Sequence, residues 1–259
     1  MAQRYFAVTS PGLEEVLLDE LKGFKIKKPK VLQGGVEFQA TGRGFYQVLR
    51  GSRIAHRLYL RVDDFRARDA YELYRKSRRF EWERLLIGGT PQRVVELRGV
   101  AHRSRLGGSG EVVDRVADGI YDRFVEELFV RPPKLMRDER YEGEGRTHSL
   151  MVRLSEDRCE LNLEAAGRAM HQRGWREETG RAPIRESLAA AMLRMSGWAP
   201  GMPLLDPMCG SGTFVIEAAR QVAGLEPRAW TEYMAFDFVN ANRELFDEVG
   251  GDLFSAHAT

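Results

Sequence analysis

The spacing of apolar and polar positions changes period several times along the chain, and each change predicts an element. Arg4 to Thr9 alternates and reads as a strand. Pro11-Gly12 then turns the chain into a helix, Leu13 to Lys22, with Leu13, Val16, Leu17 and Leu21 on one face. Gly34-Gly35 precedes a strand over Val36 to Gln39, and a helix is expected around Phe45 to Leu49. From Ile54 to Val62 the period is two again, with Ile54, His56, Leu58, Leu60 and Val62 sharing a face. This β-α-β-α-β order predicts a small α+β unit ending near residue 65.

A second unit is expected from about 66 to 165. Asp69 to Arg79 and Glu81 to Leu86 read as helices and Arg93 to Arg98 as a strand. An amphipathic helix follows, with Val113, Val116, Ile120, Phe124 and Leu128 as its apolar stripe. Pro132-Pro133 and the polar run Arg137 to Arg146 read as a loop. Ser149 to Leu154 and Arg158 to Leu163 predict a hairpin across Ser155-Glu156-Asp157. A third unit spans 166–259. It holds a helix from Ile184 to Met195, a break at Trp198-Ala-Pro-Gly, a short buried strand at Leu204-Leu205-Asp206, and a helix from Thr213 to Val222. After Gly224 the aromatic residues continue, but no strand is readable.

Composition narrows the class. Hydrophobic residues at 43% and charged residues at 30% are ordinary for a water-soluble chain, and no apolar run has the length of a membrane span. The start, MAQRYFAVTSPG, has no signal-peptide core. The two cysteines, Cys159 and Cys209, fit neither a metal spacing nor a disulfide framework, so the expectation is a reduced, cytoplasmic compartment and no metal. Net charge is only +2, yet Arg43 to Arg105 holds 16 Lys/Arg against 7 Asp/Glu, an excess of nine. Lys22, Lys25, Lys27, Lys28 and Lys30 lie upstream, and Gln221 to Thr259 holds 2 basic and 7 acidic residues. Charge alone leaves two readings open: a basic half that meets a polyanion, or an arginine-rich solvated surface.

The stretch LLDPMCGSGTFVIEAA carries the chemistry. A strand, a glycine turn and a helix make the first crossover of a doubly wound sheet. Gly210 and Gly212 let the backbone turn tightly against a ligand, the helix from Thr213 offers free N–H groups, and Asp206 lies at the carboxyl end of the strand. The motif lacks the third glycine of a dinucleotide fingerprint and the lysine of a phosphate loop. One acid beside a lysine-free loop suits a cofactor with an amino-acid portion. A structural turn is the alternative.

Asp206 to Thr213, D-P-M-C-G-S-G-T, resembles the S-adenosylmethionine loop of amino-methylating nucleic-acid methyltransferases. Upstream, HQRGWREETGRAPIRESLAAAMLRMSGW resembles a signature of the THUMP-domain rRNA guanine-N(2) methyltransferases. FAVTSPGLEEVLLDEL is similar to the ferredoxin-like start of that family and SRLGGSGEVVDRVADGIYDRF to its THUMP domain, so the resemblance runs from residue 4 to about 219. It implies an α+β N-terminal half, ferredoxin-like over 1–65 and THUMP over 66–165. The first part of an α/β Rossmann-like methyltransferase domain would follow over 166–259. It implies S-adenosylmethionine against Asp206, Pro207, Met208, Cys209, Gly210, Ser211, Gly212 and Thr213, with Ala182, Pro183, Ile184 and Arg185 beside its methionine end. Helix initiation is the other reading of Pro183 and Ile184, and a solvated pair that of Arg185 and Glu186. It implies structured RNA, rRNA in this family, as partner, docked through His102, Arg103, Arg105, Gly108 and Ser109. The bland alternative for that loop is a helix cap with surface arginines. His171 and Trp175 are expected to pack and hydrogen-bond.

One family motif does not match. The Asn/Asp-Pro-Pro-aromatic segment that holds the exocyclic amine is missing, since Pro132-Pro133 lies between Arg131 and Lys134, upstream of the cofactor loop. No acid for the ribose hydroxyls is identifiable either. The expectation is a shortened methyltransferase domain and no methyl transfer by this chain. A non-catalytic RNA-binding module is the second reading, and a DNA amino-methyltransferase the third.

Overall fold

The structure is a computed structural model, and it describes residues 2–86, 94–139, 147–176, 183–228 and 242–254. These form two compact units. Residues 2–59, 168–228 and 242–254 make the first, and the described parts of 60–167 the second.

The first unit begins β1 (Gln3–Val8), α1 (Glu14–Leu21), β2 (Lys27–Leu32), β3 (Gly35–Ala40), α2 (Gly42–Gly51) and the start of β4 (Arg57–Arg66). The strand order is β2-β3-β1-β4, with β3 antiparallel to both β1 and β2. This is the β-α-β-β-α-β ferredoxin-like arrangement. Its one element not foreseen is β2. That strand carries Lys27, Lys28 and Lys30 at the sheet edge, where charge rather than apolar alternation blunts further pairing. Lys28, at φ 48°, lies where the register with β3 shifts, so a bulge also interrupts the strand pattern. Beneath the sheet, Tyr5 stacks on Phe38 and Phe45 at 5.7 and 4.6 Å between ring centres, and Leu17, Leu21, Val36 and Leu49 are fully buried. Each such side chain contributes about 1.5–3 kcal/mol.

Three more helices complete this unit: α6 (Glu186–Met195), α7 (Thr213–Val222) and α8 (Arg243–Phe254). Arginines of the ferredoxin-like part hold them. Arg43 pairs with Glu248 and, at 2.5 Å, with Asp252 of α8. Arg50 grips Glu226 with both arms, at 2.5 and 2.7 Å, donates to the Phe246 carbonyl at 2.8 Å and lies over the Phe246 ring. Buried Arg228 donates to the carbonyls of Leu49, Arg50 and Ser52, supplying partners for the last turn of α2. Part of the charge polarity along the sequence is therefore used inside the fold, where the late acids Glu226, Glu248 and Asp252 pair with the early arginines Arg43 and Arg50.

Leu204-Leu205-Asp206 is not the buried strand its sequence suggests. The segment has no strand hydrogen bonding, and Leu205 is 88% exposed. A buried parallel strand needs neighbours on its edges and helices on its faces. No strand lies beside it among the described residues.

The second unit contains the rest of β4, then α3 (Ala70–Arg79), α4 (Glu83–Leu86), β5 (Val94–His102), α5 (Ser109–Asp122), a π-helical turn (Arg123–Glu127), β6 (Lys134–Arg137), β7 (Thr147–Ser155) and β8 (Arg158–Glu164). Its order is β4-β8-β7-β5-β6, with β5 parallel to β6 and β7 and β7 antiparallel to β8. The polar run read as a loop thus starts in β6, and residues 140–146 lie outside the described part. Glu156 and Asp157 make the β7–β8 turn with φ of 51° and 61°, the sign that a two-residue hairpin turn demands. Asp69 caps α3, accepting the Glu72 N–H at 2.7 Å. Gly119 lets α5 press on α3, since a Cβ there would stand 2.9 Å from the Tyr74 carbonyl oxygen.

Candidate functional site

The loop before α7 has the features of a ligand cradle. Gly210 and Gly212 have φ of 54° and 73°, values at which a Cβ would clash with the chain's own carbonyl. Gly212 is the N-cap of α7 and donates to the Cys209 carbonyl at 2.8 Å, closing the turn. The first helical hydrogen bond runs from Ile216 to Gly212, so the N–H groups of Thr213, Phe214 and Val215 have no partner within the helix. Asp206 Oδ1 accepts the Met208 N–H at 3.1 Å and fixes the entry to the loop, while its Oδ2 is buried with no hydrogen-bond partner among the described residues. Pro207, Met208, Cys209, Gly210 and Ser211 are exposed, and Thr213 is buried at the first position of α7.

The residues read beside the loop come to it through one arginine. Arg176 donates from Nε to Glu186 Oε1 at 3.0 Å, and from Nη2 to the Ile184 carbonyl at 3.2 Å and Thr213 Oγ1 at 3.0 Å. Pro183 is exposed and Ile184 half-buried just before α6, while Ala182 lies outside the described residues. Glu186 is not half of a solvated pair with Arg185. It is buried and turned to Arg176, and Arg185 is the exposed N-cap of α6.

Beneath α7 lies a buried charge cluster that the sequence pattern did not reveal. Arg173 and Glu217 are both fully buried, with Nε 3.2 Å from Oε1, and Arg53 brings Nη1 to 3.6 Å from Oε2. Arg173 also donates to the carbonyls of Met170 and Arg53. Burial is the main influence on the Arg173 guanidinium and pulls it down to about 10, against the pull of Glu217. Glu217 follows the apolar Val215-Ile216 and reads as one more surface acid of an amphipathic helix. Only its i, i+4 placement after Thr213, on the inner face, hints otherwise.

His171 packs edge-on to His56 at 5.8 Å, and Trp175 lies about 6 Å from the guanidiniums of Arg176 and Arg220. Both residues pack as expected, and among the described residues His171 Nδ1 and Trp175 Nε1 have no hydrogen-bond partner. Burial pushes His56 down to about 4, with His171 and Arg185 adding to the effect.

The candidate RNA loop lies in the second unit. His102, the left-handed Arg103 and Arg105 are exposed, and Gly108 caps α5 with Ser109 as its first residue. Two acids already engage this loop. Asp157 accepts the Arg105 N–H at 3.1 Å and stands 3.6 Å from its Nε, and Glu111 accepts the Gly107 N–H at 3.1 Å. An incoming phosphate would compete with both. Among the described residues no helix is long and apolar enough to cross a membrane, and no His/Cys/Asp/Glu group could hold a metal.

The chain is similar to known proteins at both ends. Residues 173–257 match the family model of the RMKL-like methyltransferase domain, UPF0020, and residues 4–59 match that of the RlmL ferredoxin-like domain. The ribosomal RNA large subunit methyltransferase K/L of Photobacterium profundum is 38% identical over 224 residues, 86% of this chain. The chain spans about a third of the length of the curated relatives it matches, 30% of this one. Two solved structures share the fold closely. SMU.472, complexed with SAH, superposes with a TM-score of 0.82 at 25% identity, covering 97% of this chain and 64% of that one. A structure described as a predicted N6-adenine-specific DNA methylase, from Listeria monocytogenes str. 4b F2365, gives 0.81 at 27%, covering 98% and 64%.

Proposed function

We propose that the chain is of the S-adenosylmethionine-dependent large-subunit rRNA guanine-N(2) methyltransferase kind, in a form that holds the methyl donor but lacks the motif that holds the acceptor amine. The observation that carries the reading is the Asp206–Thr213 loop. It combines an orphaned carboxylate oxygen, two left-handed glycines and an open helix start in eight residues. That set fits an amino-acid zwitterion: Asp206 Oδ2 accepts from the ammonium, and the N–H groups at the start of α7 take the carboxylate. Pro207, Met208, Cys209, Gly210, Ser211 and Gly212 line the cofactor from the loop side, and Pro183 and Ile184 from the α6 side. The cofactor supplies an electrophilic methyl group. What these residues do is hold and orient it. The SAH-bound neighbour and the methyltransferase-domain match support the cofactor assignment, and the rRNA enzyme among the relatives supports the substrate class.

In this reading the second unit is a THUMP RNA-binding domain that docks structured rRNA through His102, Arg103, Arg105, Gly108 and Ser109. The likeness to a DNA methylase keeps DNA as a second substrate class. The ferredoxin-like match and the ribosomal relative favour RNA. Isothermal titration of the 259-residue chain with S-adenosylmethionine tests the cofactor reading. Binding is expected, with a loss of about tenfold or more in Asp206→Ala, the size of one charge-assisted hydrogen bond. No binding by the wild type, or equal binding by the variant, would sink it.

A further inference from the structure

The loop and the α6 start belong to segments far apart in sequence, yet one side chain joins them. We propose that Arg176 is a positioning residue that locks the starts of α6 and α7 into the single geometry that receives the amino-acid end of the cofactor. This rests on the reading of the Asp206–Thr213 loop as the cofactor loop. The Arg176 fork binds three acceptors at once: Glu186, first in α6, the carbonyl of Ile184 just before it, and Thr213, first in α7. Glu186 and Thr213 are 6% and 2% exposed, so these bonds form away from water and hold their geometry.

The effect is geometric rather than electrostatic. Glu186 stands 3.0 Å from Arg176 Nε, so the pair is neutral as a whole and adds little positive potential to the loop. What remains is direction. The guanidinium is planar, and its Nε and Nη2 edges point where an ammonium cannot reach together. Trp175 lies beside the clamp, with Arg176 and Arg220 at 5.8 and 6.0 Å from its ring centre, at the outer range of a cation–π contact. Thr213 Oγ1 accepts from Arg176, which fixes the hydroxyl at the first turn of α7. Loss of Arg176 leaves Glu186 buried and unpaired and both helix starts free to part.

The experiment compares two nucleosides on the full 259-residue chain: S-adenosylmethionine, and 5′-methylthioadenosine, which lacks the amino-acid end. In Arg176→Ala, affinity for S-adenosylmethionine is expected to fall about tenfold or more, while that for methylthioadenosine stays within about threefold. Free guanidinium at millimolar concentration is expected to recover part of the loss, and Arg176→Lys to recover little. Amide exchange should speed up at the first hydrogen-bonded amides of the two helices, Leu188–Ala190 and Ile216–Glu217, but not in β1 and β3. An equal loss for both nucleosides, or no loss, would overturn the proposal. If Arg176→Ala does not fold, Thr213→Val removes one acceptor alone. A smaller loss confined to S-adenosylmethionine is then expected, and a loss shared by both nucleosides would count against the clamp. If the wild type binds neither nucleoside, the cofactor reading fails by itself. The clamp then stands on faster exchange in those two turns of Arg176→Lys, and falls if protection there is unchanged.

Discussion

Glu217→Gln removes one negative charge from a site where two guanidiniums depend on it. Arg173 Nε stands 3.2 Å and Arg53 Nη1 3.6 Å from the two carboxylate oxygens, with Arg173 and Glu217 fully buried. At an effective dielectric constant of about 20, each of these attractions is worth roughly 5 kcal/mol before desolvation is counted. Breaking one side of a buried pair costs about 3–5 kcal/mol in practice, because the remaining charge stays buried without its partner. The glutamine keeps the shape and one acceptor for Arg173 Nε, so charge rather than cavity is tested. The cost is expected at about 3–5 kcal/mol in urea unfolding followed by circular dichroism, with hydrogen exchange assigning the loss to the first unit. The double variant Arg173→Met/Glu217→Met should cost less than the sum of its single changes by about 1–3 kcal/mol, since it leaves one fewer orphaned charge. A single variant within about 0.5 kcal/mol of the wild type, the range of an ordinary surface substitution, would refute the reasoning, and so would strict additivity.

The remaining expectations concern pH, backbone strain and salt. His56 is held near 4, below its ordinary 6.5, mainly by burial, so it is neutral in the fold while the unfolded chain takes up a proton between those values. Stability is therefore expected to fall as pH drops from about 6.5 towards 4, and His56→Gln should flatten that slope in urea titrations at several pH values; an unchanged slope would contradict the assignment. Gly212 has φ 73° with only the Ile216 side chain near its missing Cβ, so Gly212→Ala should cost about 1–2 kcal/mol from backbone strain alone and Gly212→Asn less; equal costs by thermal unfolding would disprove this. RNA binding should show a slope of log affinity on log salt of about −1.5 to −2, from Arg103 and Arg105, reduced by about one in Arg103→Ala. A slope near −9, the full excess of basic residues between Arg43 and Arg105, would mean that the internal ion pairs do not hold in solution.

The sequence alone determined the elements whose apolar residues repeat with a clear period. β1, α1, β3, α2, α3, α5, α7 and the β7–β8 hairpin are where the pattern puts them, because burial of one face is a local requirement written at fixed spacing. The loop Asp206–Thr213 was legible for a related reason, since glycine spacing encodes backbone sign directly. Other features needed the third dimension. β2 is an edge strand of lysines with no apolar face, so no period announces it. Leu204-Leu205-Asp206 has the composition of a buried strand, but burial is conferred by neighbours and not by composition. Charge followed the same rule. The arginines of the first half looked free in one dimension, and the fold pairs Arg43, Arg50 and Arg53 with acids more than 160 residues away. Which arginine meets which acid is fixed by chain topology, because an ion pair acts over a few ångströms of space and leaves no mark on sequence spacing. Arg176, between Ile184, Glu186 and Thr213, owes its place to that same topology.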